Sequence, residues 1–254
     1  MVKELLNAAR GIHKQSHFAL CLTPFRHPLD EQVIILFILC YTTPMKIDSI
    51  ILDVDGTIWN TTDIVADAWN LAIDKLYPQV PHVTGSILKG QFGKTMKVIA
   101  DNLFPILNDK QKTQLMDQCC VQEQLALTSN TKDISYPNVI KTIAELSKLV
   151  PLFIVSNCQK GYIEVVVAKN HIEQYITDFE CYGNNGKNKD ENIRLICDRN
   201  NLKAPIYVGD TQGDYDACKK AGVPFVWVSY GFGKTDDDEY FAKIDDFAEL
   251  KKLI

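Results

Sequence analysis

Short apolar runs alternate with amphipathic segments along most of this chain. Five runs have the length and composition of buried strands, and each is followed by polar or turn-forming residues: 50–52, 152–155, 179–182, 205–209 and 223–228. Between them, apolar residues recur every three or four positions, which is typical of helices that pack by one face. Strands that alternate with helices predict an α/β fold built on a doubly wound parallel sheet.

Three helices are predicted one after another, with no strand between them, over 62–77, 95–104 and 109–127. They separate the first predicted strand from the second. We interpret residues 61–133 as an inserted α-helical cap domain, and residues 45–60 with 134–254 as the core. A lid of this kind excludes water from a site and completes the site when it closes.

The second half of the chain continues the alternation. Helices are predicted over 137–149, 161–171, 191–200 and 211–222, and the last strand, 223–228, is followed by a terminal helix over 245–254. Pro137 would lie in the first turn of its helix, a favourable position for proline. The core is therefore expected to repeat one strand and one helix in turn.

Residues 1–44 differ in character from the rest of the chain. A short helix is predicted over 2–14, and residues 33–41 form an apolar run that is well short of the ~20 residues needed to cross a bilayer. One interpretation is a membrane-touching or targeting extension. We favour a peripheral element packed on the core, or an upstream stretch outside the natural protein, because Met45 offers a natural start.

The composition narrows the class of protein. The 254 residues are 46% hydrophobic and 23% charged, which is ordinary for a globular protein. A net charge of −5 without a basic stripe predicts no nucleic-acid partner. The eight cysteines form no C-x-x-C pair and do not cluster with the five histidines, which argues against zinc. We expect a cytoplasmic protein with reduced thiols, a monomer or homodimer, and no membrane partner.

The first predicted strand ends in chemistry-bearing residues. Asp53 and Asp55 follow it, and Gly56 and Thr57 come next. Residues two apart on an extended backbone point to the same side, and ligands of open α/β sheets bind at the carboxyl ends of strands. One carboxylate could attack phosphorus, and the other could protonate the leaving oxygen and then activate water. Mg²⁺ would neutralise the repulsion between the attacking carboxylate and the phosphoryl group. The plainer interpretation is an Asp-Gly turn with capping acids.

Two later strands end in a similar way. Ser156 and Asn157 close the second run, where a hydroxyl and an amide could bind a phosphoryl oxygen, or could simply cap a helix. Asp210 closes the fourth run, and Asp214 follows across a turn that contains a glycine. The two acids could flank one cation. The alternative is an Asp-capped helix, which accounts for one acid but not for the repeated pattern.

Two lysine-bearing loops are candidates for binding an anion. Lys94 follows two glycines just before a predicted helix, a place suited to an anion, although it could equally be a solvated lysine in a flexible turn. Lys187 and Lys189 lie in a polar turn before another helix. Either could neutralise a phosphate as a point charge. The alternative for both is a solvent-exposed loop lysine.

The segment 53–57, Asp-Val-Asp-Gly-Thr, resembles the first motif of the haloacid dehalogenase-like (HAD) superfamily in its phosphatase form. In order and spacing, Ser156 is similar to the second motif, Lys189 to the third, and Asp210 with Asp214 to the fourth. The third match is the loosest, because Lys187 is an alternative. The resemblance covers residues 46–254 and implies a HAD-like, Rossmannoid core with a helical cap.

The resemblance also implies roles for the individual residues. Asp53 would be the nucleophile and Asp55 the general acid and base. Mg²⁺ would be held by Asp53, the backbone carbonyl of Asp55 and Asp210, while Asp214 would hold a water of the metal or support the site. The remaining members are assigned to phosphate or substrate: Thr57, Ser156, Asn157, Lys189 and, in the cap, Lys94.

The expected function is a Mg²⁺-dependent phosphatase of a small-molecule phosphomonoester, similar to phosphoglycolate phosphatase, that works through an aspartyl-phosphate. A pyrophosphatase or nucleotidase of the same superfamily is an alternative. A hexose-phosphate mutase is less favoured, because its cap carries an arginine-rich loop and no arginine lies between Arg26 and Arg194. An alternative of another class is a non-catalytic, phosphate-binding regulatory module.

Overall fold

The computed structural model describes residues 46–236 and 239–254. The helix and the apolar run predicted within residues 1–44 lie outside the described residues. Residues Ile47–Asp236 and Tyr240–Ile254 form one compact unit. Among the helices described, none has the length and apolar composition of a membrane span.

The centre of the molecule is a sheet of six parallel strands in the order β3-β2-β1-β4-β5-β6. The strands are β1 Ser49–Leu52, β2 Leu152–Ser156, β3 Ile176–Cys181, β4 Pro205–Gly209, β5 Phe225–Val228 and β6 Ala242–Ile244. Helices flank this sheet, so the predicted α/β fold with a parallel sheet is confirmed. β1 lies between β2 and β4 and is buried along its whole length, as its apolar sequence requires.

The register of the central strands explains where the polar residues meet. Leu52, the last residue of β1, pairs with Ile154 of β2 and with Val208 of β4. Because parallel strands point the same way, the residues that follow all three strands lie at one edge of the sheet. Asp53 and Asp210 are therefore brought together although they are far apart in sequence.

The helices surround this sheet and extend beyond it. They are α1 Thr62–Leu76, α2 Gly85–Lys89, α3 Met96–Leu103, α4 Asp109–Ser129, α5 Val139–Leu146, α6 Tyr162–Lys169, α7 Tyr182–Asn185, α8 Lys189–Arg199 and α9 Gln212–Ala221. Two 3₁₀ helices cover Glu173–Tyr175 and Phe247–Lys252. The predicted core helices are present with boundaries shifted by a few residues.

Four helices, α1 to α4, form one insertion between β1 and β2. α1 packs along α4, and each buries an apolar face that includes Trp69 and Ile73 on α1 and Leu115 and Cys119 on α4. The two connections to the core pair with each other, since the amide of Asn60 donates to the carbonyl of Ile134 at 2.8 Å. We refer to α1–α4 as the helical insertion.

Several predictions for single elements were wrong. The strand over 223–228 is not the last, because the three-residue strand β6 follows it and pairs with it in parallel. The terminal helix over 245–254 is a 3₁₀ helix of six residues. The helix predicted from residue 137 begins at Val139, because Asn138 takes a left-handed backbone conformation with φ 64°. The short helices α2 and α7 were not predicted.

Candidate active site

Asp53 lies at the centre of a buried cluster at the carboxyl edge of the sheet. Its side chain is buried, and its Oδ1 accepts a hydrogen bond from Nζ of Lys189 at 2.8 Å. The same ammonium donates to Oδ1 of Asp214 at 2.6 Å. The hydroxyl of Tyr207, on β4, lies 3.4 Å from Asp53 Oδ1 and 3.3 Å from Asp214 Oδ1. One lysine thus joins two carboxylates in a site closed to solvent.

The start of α8 determines which lysine reaches this cluster. Asn188 and Glu191 form a capping box there, and Lys189 is the first helical residue and is buried. Lys187 lies two residues earlier and is exposed. Of the two lysines that the sequence left open, the structure therefore places Lys189 beside Asp53.

Asp210 completes a set of three acids. Its Oδ2 accepts hydrogen bonds from the amides of Phe232 at 2.6 Å and Gly233 at 3.3 Å. This loop approaches so closely that a Cβ on Gly231 would lie 2.3 Å from that of Asp210, so only glycine fits there. The other oxygen of Asp210, Oδ1, is buried and has no hydrogen-bond partner among the residues that the structure describes.

These acids could hold a cation. One carboxylate oxygen from each of Asp53, Asp210 and Asp214 lies within 4.8 Å of the others. Carboxylate oxygens are ligands that suit Mg²⁺. Among the described residues, Oδ1 of Asp210 has no hydrogen-bond donor and so can bind a metal. Lys189 supplies one positive charge against three carboxyl groups. The residues present therefore fit a divalent metal.

Asp214 is placed by its own helix. Thr211 caps α9 and donates to Asp214 Oδ2 both from its amide at 3.0 Å and from its hydroxyl at 2.6 Å. The other oxygen of Asp214 faces Lys189. Because both oxygens already accept hydrogen bonds, Asp214 is better suited to positioning Lys189 than to binding a metal directly.

The pKa values in this cluster follow from burial and charge. Burial raises the pKa of Asp53 above its ordinary value, against the attraction of Lys189. Burial also raises the pKa of Asp210, and the neighbouring Asp214 adds to this effect. Although burial acts to raise it, the Lys189 ammonium lowers the pKa of Asp214. A further cation would stabilise the ionised form of all three acids.

Asp55 stands apart from the cluster. Its Oδ1 accepts hydrogen bonds from the hydroxyl of Tyr162 at 2.6 Å and from that of Thr61 at 3.1 Å. Burial raises the pKa of Asp55 to about 7, the charge of Glu123 acts in the same direction, and the Tyr162 hydrogen bond opposes them. A carboxyl group that titrates near neutral pH can both give and take a proton.

A cavity opens between these acids and the helical insertion. Its lining from the core includes Asp53, Asp55, Ser156 and Asn157, and its lining from the insertion includes Trp69, Phe92 and Glu123. Ser156 is buried at the end of β2. Asn157 donates from Nδ2 to the carbonyl of Gly93 at 2.8 Å, and its buried Oδ1 has no hydrogen-bond partner in residues 46–236 and 239–254. Asn157 thus connects the core to the insertion.

Two of the residues that were expected to bind phosphate or substrate, Lys94 and Thr57, donate no hydrogen bond from their side chains to the acids of the site. Lys94 lines the cavity but is exposed, and its Nζ donates to the carbonyl of Gly90 at 2.8 Å and to Oε1 of Gln91 at 3.2 Å. Thr57 is completely buried, and within the described part of the chain its hydroxyl oxygen has no hydrogen-bond partner. The Lys94 ammonium is turned toward its own loop, so a substrate would have to draw it away.

Four residues that shape the site were not predicted from the sequence: Tyr162, Tyr207, Glu123 and Gln159. Glu123 is buried on α4 and accepts hydrogen bonds from Nε1 of Trp69 at 2.8 Å and from Nε2 of Gln159 at 2.9 Å. Burial raises the pKa of Glu123 to about 7. The tyrosines resembled core residues, and no spacing in the sequence links them to the acids that they contact.

Solved structures with this fold come from several bacteria. A protein described as a predicted phosphoglycolate phosphatase from Haemophilus somnus is 20% identical, with a TM-score of 0.73 over 84% of this chain and 99% of that chain. CbbY from Rhodobacter sphaeroides, solved with xylulose-(1,5)bisphosphate, is 16% identical, with a TM-score of 0.68 over 80% and 96%. A predicted phosphatase from Clostridium acetobutylicum is 16% identical, with a TM-score of 0.69 over 81% and 97%. At these identities the likeness shows a shared fold.

The sequence itself connects the chain to a family. No curated protein matches it significantly. A family model does match, however, over residues 50–228, which run from β1 through the end of β5 and include Asp53, Lys189 and Asp210. The order of the strand-end residues, the parallel sheet and this match all indicate the same family. The chain belongs to the haloacid dehalogenase-like hydrolase family.

Proposed function

We propose that this protein is a Mg²⁺-dependent phosphatase that hydrolyses a small-molecule phosphomonoester through an aspartyl-phosphate. The observation that carries the proposal is the buried contact of Asp53 with Lys189, beside Asp210 and facing the cavity that Asp55 also lines. A nucleophile, a fixed cation, a metal-binding carboxylate and a proton donor then meet at one edge of the sheet.

The reaction has two steps. Asp53 Oδ attacks phosphorus, the bond from phosphorus to the ester oxygen breaks, and Asp55 gives its proton to the departing oxygen. Asp55, now ionised, then takes a proton from water, which displaces phosphate from Asp53 and restores the free carboxylate. The pKa of Asp55, raised to about 7 by burial, supports both of its roles at neutral pH.

The other residues hold the transferred group. Lys189 neutralises charge on the phosphoryl oxygens, and its position depends on Asp214. Ser156 and Asn157 would donate hydrogen bonds to those oxygens from the end of β2, and Thr57 and Lys94 remain assigned to phosphate or substrate. Support for Asn157 comes from its place in the cavity lining.

Mg²⁺ would be held by Asp53 and Asp210, with the backbone carbonyl of Asp55 as a third ligand. The unpartnered Oδ1 of Asp210 supports this assignment. Asp214, which accepts a hydrogen bond from Thr211, would hold Lys189 in position. When bound, the metal would neutralise the repulsion between the attacking carboxylate and the phosphoryl group.

The helical insertion, which lies within residues 61–133, would act as a cap over the active site. Trp69 and Glu123 bring this insertion into the same cavity as Asp53, and the Asn157–Gly93 hydrogen bond links it to the core. Closure of such a cap would remove water from the reacting phosphoryl group. The residues of the insertion would then select the leaving group.

The cysteines support the expected location. Eight cysteines scattered along a chain of this length, none of them in a C-x-x-C pair, suit reduced thiols in a cytoplasmic environment. Monomer or homodimer remains the expectation for the assembly.

The test of this function is phosphate release from p-nitrophenyl phosphate, 2-phosphoglycolate, pyrophosphate and a nucleoside monophosphate, each with Mg²⁺ and with chelator. We expect release from at least the aryl phosphate, and only with metal. Preference for pyrophosphate or the nucleotide would favour the alternative hydrolases. Absence of release from these and from a wider set of phosphoesters would favour a regulatory, phosphate-binding module.

Mg²⁺ is expected to raise the melting temperature of the substrate-free protein. At a concentration about 100-fold above Kd, binding stabilises the folded state by about 2.7 kcal/mol. Burial raises the pKa of Asp210 and raises that of Asp53 to about 7, so protons compete with the metal, and the shift in melting temperature should grow between about pH 6 and about pH 8. Thermal unfolding with and without Mg²⁺ measures it.

Asp210→Asn should remove most of this Mg²⁺-induced shift. Asp216→Asn is the control, because Asp216 is an exposed acid on α9, the helix that follows Asp210. An equal shift in Asp210→Asn and in the unchanged protein would place the metal elsewhere.

A further inference from the structure

Glu123 is a buried acid for which the proposed mechanism has no use. It lies on α4 and is only 4% exposed, yet it lines the same cavity as Asp53 and Asp55. Those two residues face the phosphoryl group and the departing oxygen. Glu123 belongs to the other side of the cavity, on the helical insertion, so its carboxyl group lies where the remainder of the substrate would extend.

No cation of the described residues balances Glu123. Its two oxygens accept hydrogen bonds from Trp69 Nε1 at 2.8 Å and Gln159 Nε2 at 2.9 Å, and both donors are neutral. It takes part in none of the ion pairs found among those residues. A buried carboxylate without a counter-charge is unfavourable, and each oxygen can still accept another hydrogen bond. A cationic ligand would supply the missing counter-charge and would donate hydrogen bonds to the free lone pairs of Glu123.

The cavity is poorly suited to a second anion. Among the described residues of its lining, Lys94 is the only basic one, and its ammonium is hydrogen-bonded to Gly90 and Gln91 of its own loop. Apolar and aromatic side chains make up much of the remaining wall: Trp69, Phe92, Met96, Ile99 and Tyr162. In such surroundings charges are weakly screened. A carboxylate or second phosphate on the leaving group would meet the Glu123 carboxylate, and Lys94 would have to leave Gly90 and Gln91 to offset it.

We propose that the leaving group carries a protonated amine that binds the Glu123 carboxylate, so that the substrate is the phosphomonoester of a small amino alcohol. This inference rests on the phosphatase function proposed above. The ammonium donates to the free lone pairs of Glu123 and supplies the missing counter-charge. The aromatic walls, Trp69 among them, add favourable contacts to a cation. Glu123 is then a specificity residue and takes no part in the proton transfers.

The experiment compares three substrates with the unchanged protein and with Glu123→Gln: O-phosphoethanolamine, 2-phosphoglycolate and p-nitrophenyl phosphate. We expect the unchanged protein to prefer the amine over the carboxylate. Loss of one charge-assisted hydrogen bond should lower kcat/KM for O-phosphoethanolamine about tenfold or more in Glu123→Gln. The effect should fall mainly on KM. Turnover of p-nitrophenyl phosphate should fall much less than that of O-phosphoethanolamine, because its leaving group makes no such bond and the substitution reaches it only through the pKa of Asp55.

Asp117→Asn is the matched control, since Asp117 is an exposed acid on the same helix. It should leave all three substrates unchanged. An equal loss on all three substrates in Glu123→Gln would show that Glu123 only holds Trp69 and Gln159 in place, and would overturn the inference. So would a preference of the unchanged protein for 2-phosphoglycolate. If none of the three substrates released phosphate, nor any of a wider set of phosphoesters, the proposed function would be overturned, and this inference with it.

Discussion

Asp53→Asn is expected to abolish phosphate release while the protein remains folded. The amide has nearly the same shape as the carboxylate and can still accept a hydrogen bond from Lys189, whose Nζ lies 2.8 Å from Asp53 Oδ1. It cannot attack phosphorus, so no covalent intermediate forms. Loss of a nucleophile of this kind lowers kcat by at least about 10⁴-fold. Phosphate release from p-nitrophenyl phosphate at saturating Mg²⁺ measures this loss.

The melting temperature of Asp53→Asn shows whether the variant remains folded. We expect it to change little, because Asp210 and Asp214 remain beside Lys189 and the repulsion among the buried acids decreases. Asp216→Asn, which replaces an exposed acid on α9, should keep full activity. Turnover by Asp53→Asn within about tenfold of the unchanged protein would mean that another residue attacks the substrate.

Lys189→Met is expected to reduce both stability and activity severely. Lys189 is 4% exposed and donates hydrogen bonds to Asp53 and Asp214, which are also buried. Removing the ammonium leaves two buried carboxylates without their partner, a change that destabilises proteins by about 3–5 kcal/mol. Phosphate binding loses its fixed charge at the same time. Chemical denaturation in the presence of chelator measures the stability, and phosphate release measures the activity.

The loss of stability should depend on pH. In the unchanged protein Lys189 lowers the pKa of Asp214 and opposes the effect of burial on Asp53. Without it, burial raises both pKa values above those of the unfolded chain, so the folded state holds protons that the unfolded state has already released. The free energy of unfolding of the variant then falls as pH rises above about 4. The difference from the unchanged protein should be larger at about pH 8 than at about pH 5.

Lys187→Met is the matched control for this prediction, because Lys187 lies two residues away and is exposed. It should change stability by no more than about 0.5 kcal/mol and leave activity intact. A larger effect of Lys187→Met than of Lys189→Met would reverse the assignment that the structure supports.

Much of the site could be predicted because its residues follow apolar strands. Asp53 and Asp210 each come directly after a buried run, and parallel strands bring such positions to one edge of the sheet. The pattern therefore carried information about contacts between segments far apart in sequence. The choice between Lys187 and Lys189 did not follow in this way, because it depends on where α8 begins.

The residues that were missed depend on packing between elements. Tyr162 reaches Asp55 only because α6 starts beside the first motif, and Glu123 enters the cavity only through the position of α4 against the core. Neither contact leaves a periodic or local signal. The strand β6 was missed for a different reason: three residues are too few to show a period of two.

The most direct test of the central claim is to trap the phosphoenzyme. Protein turning over p-nitrophenyl phosphate with Mg²⁺ is quenched and treated with borohydride, which reduces an aspartyl-phosphate to the corresponding alcohol, and peptides are then sequenced by mass spectrometry. We predict that residue 53 is reduced, that Asp55 and Asp210 are not, and that chelator prevents the reduction. Rapid phosphate release with no modification at residue 53 would contradict the proposal that Asp53 is the nucleophile.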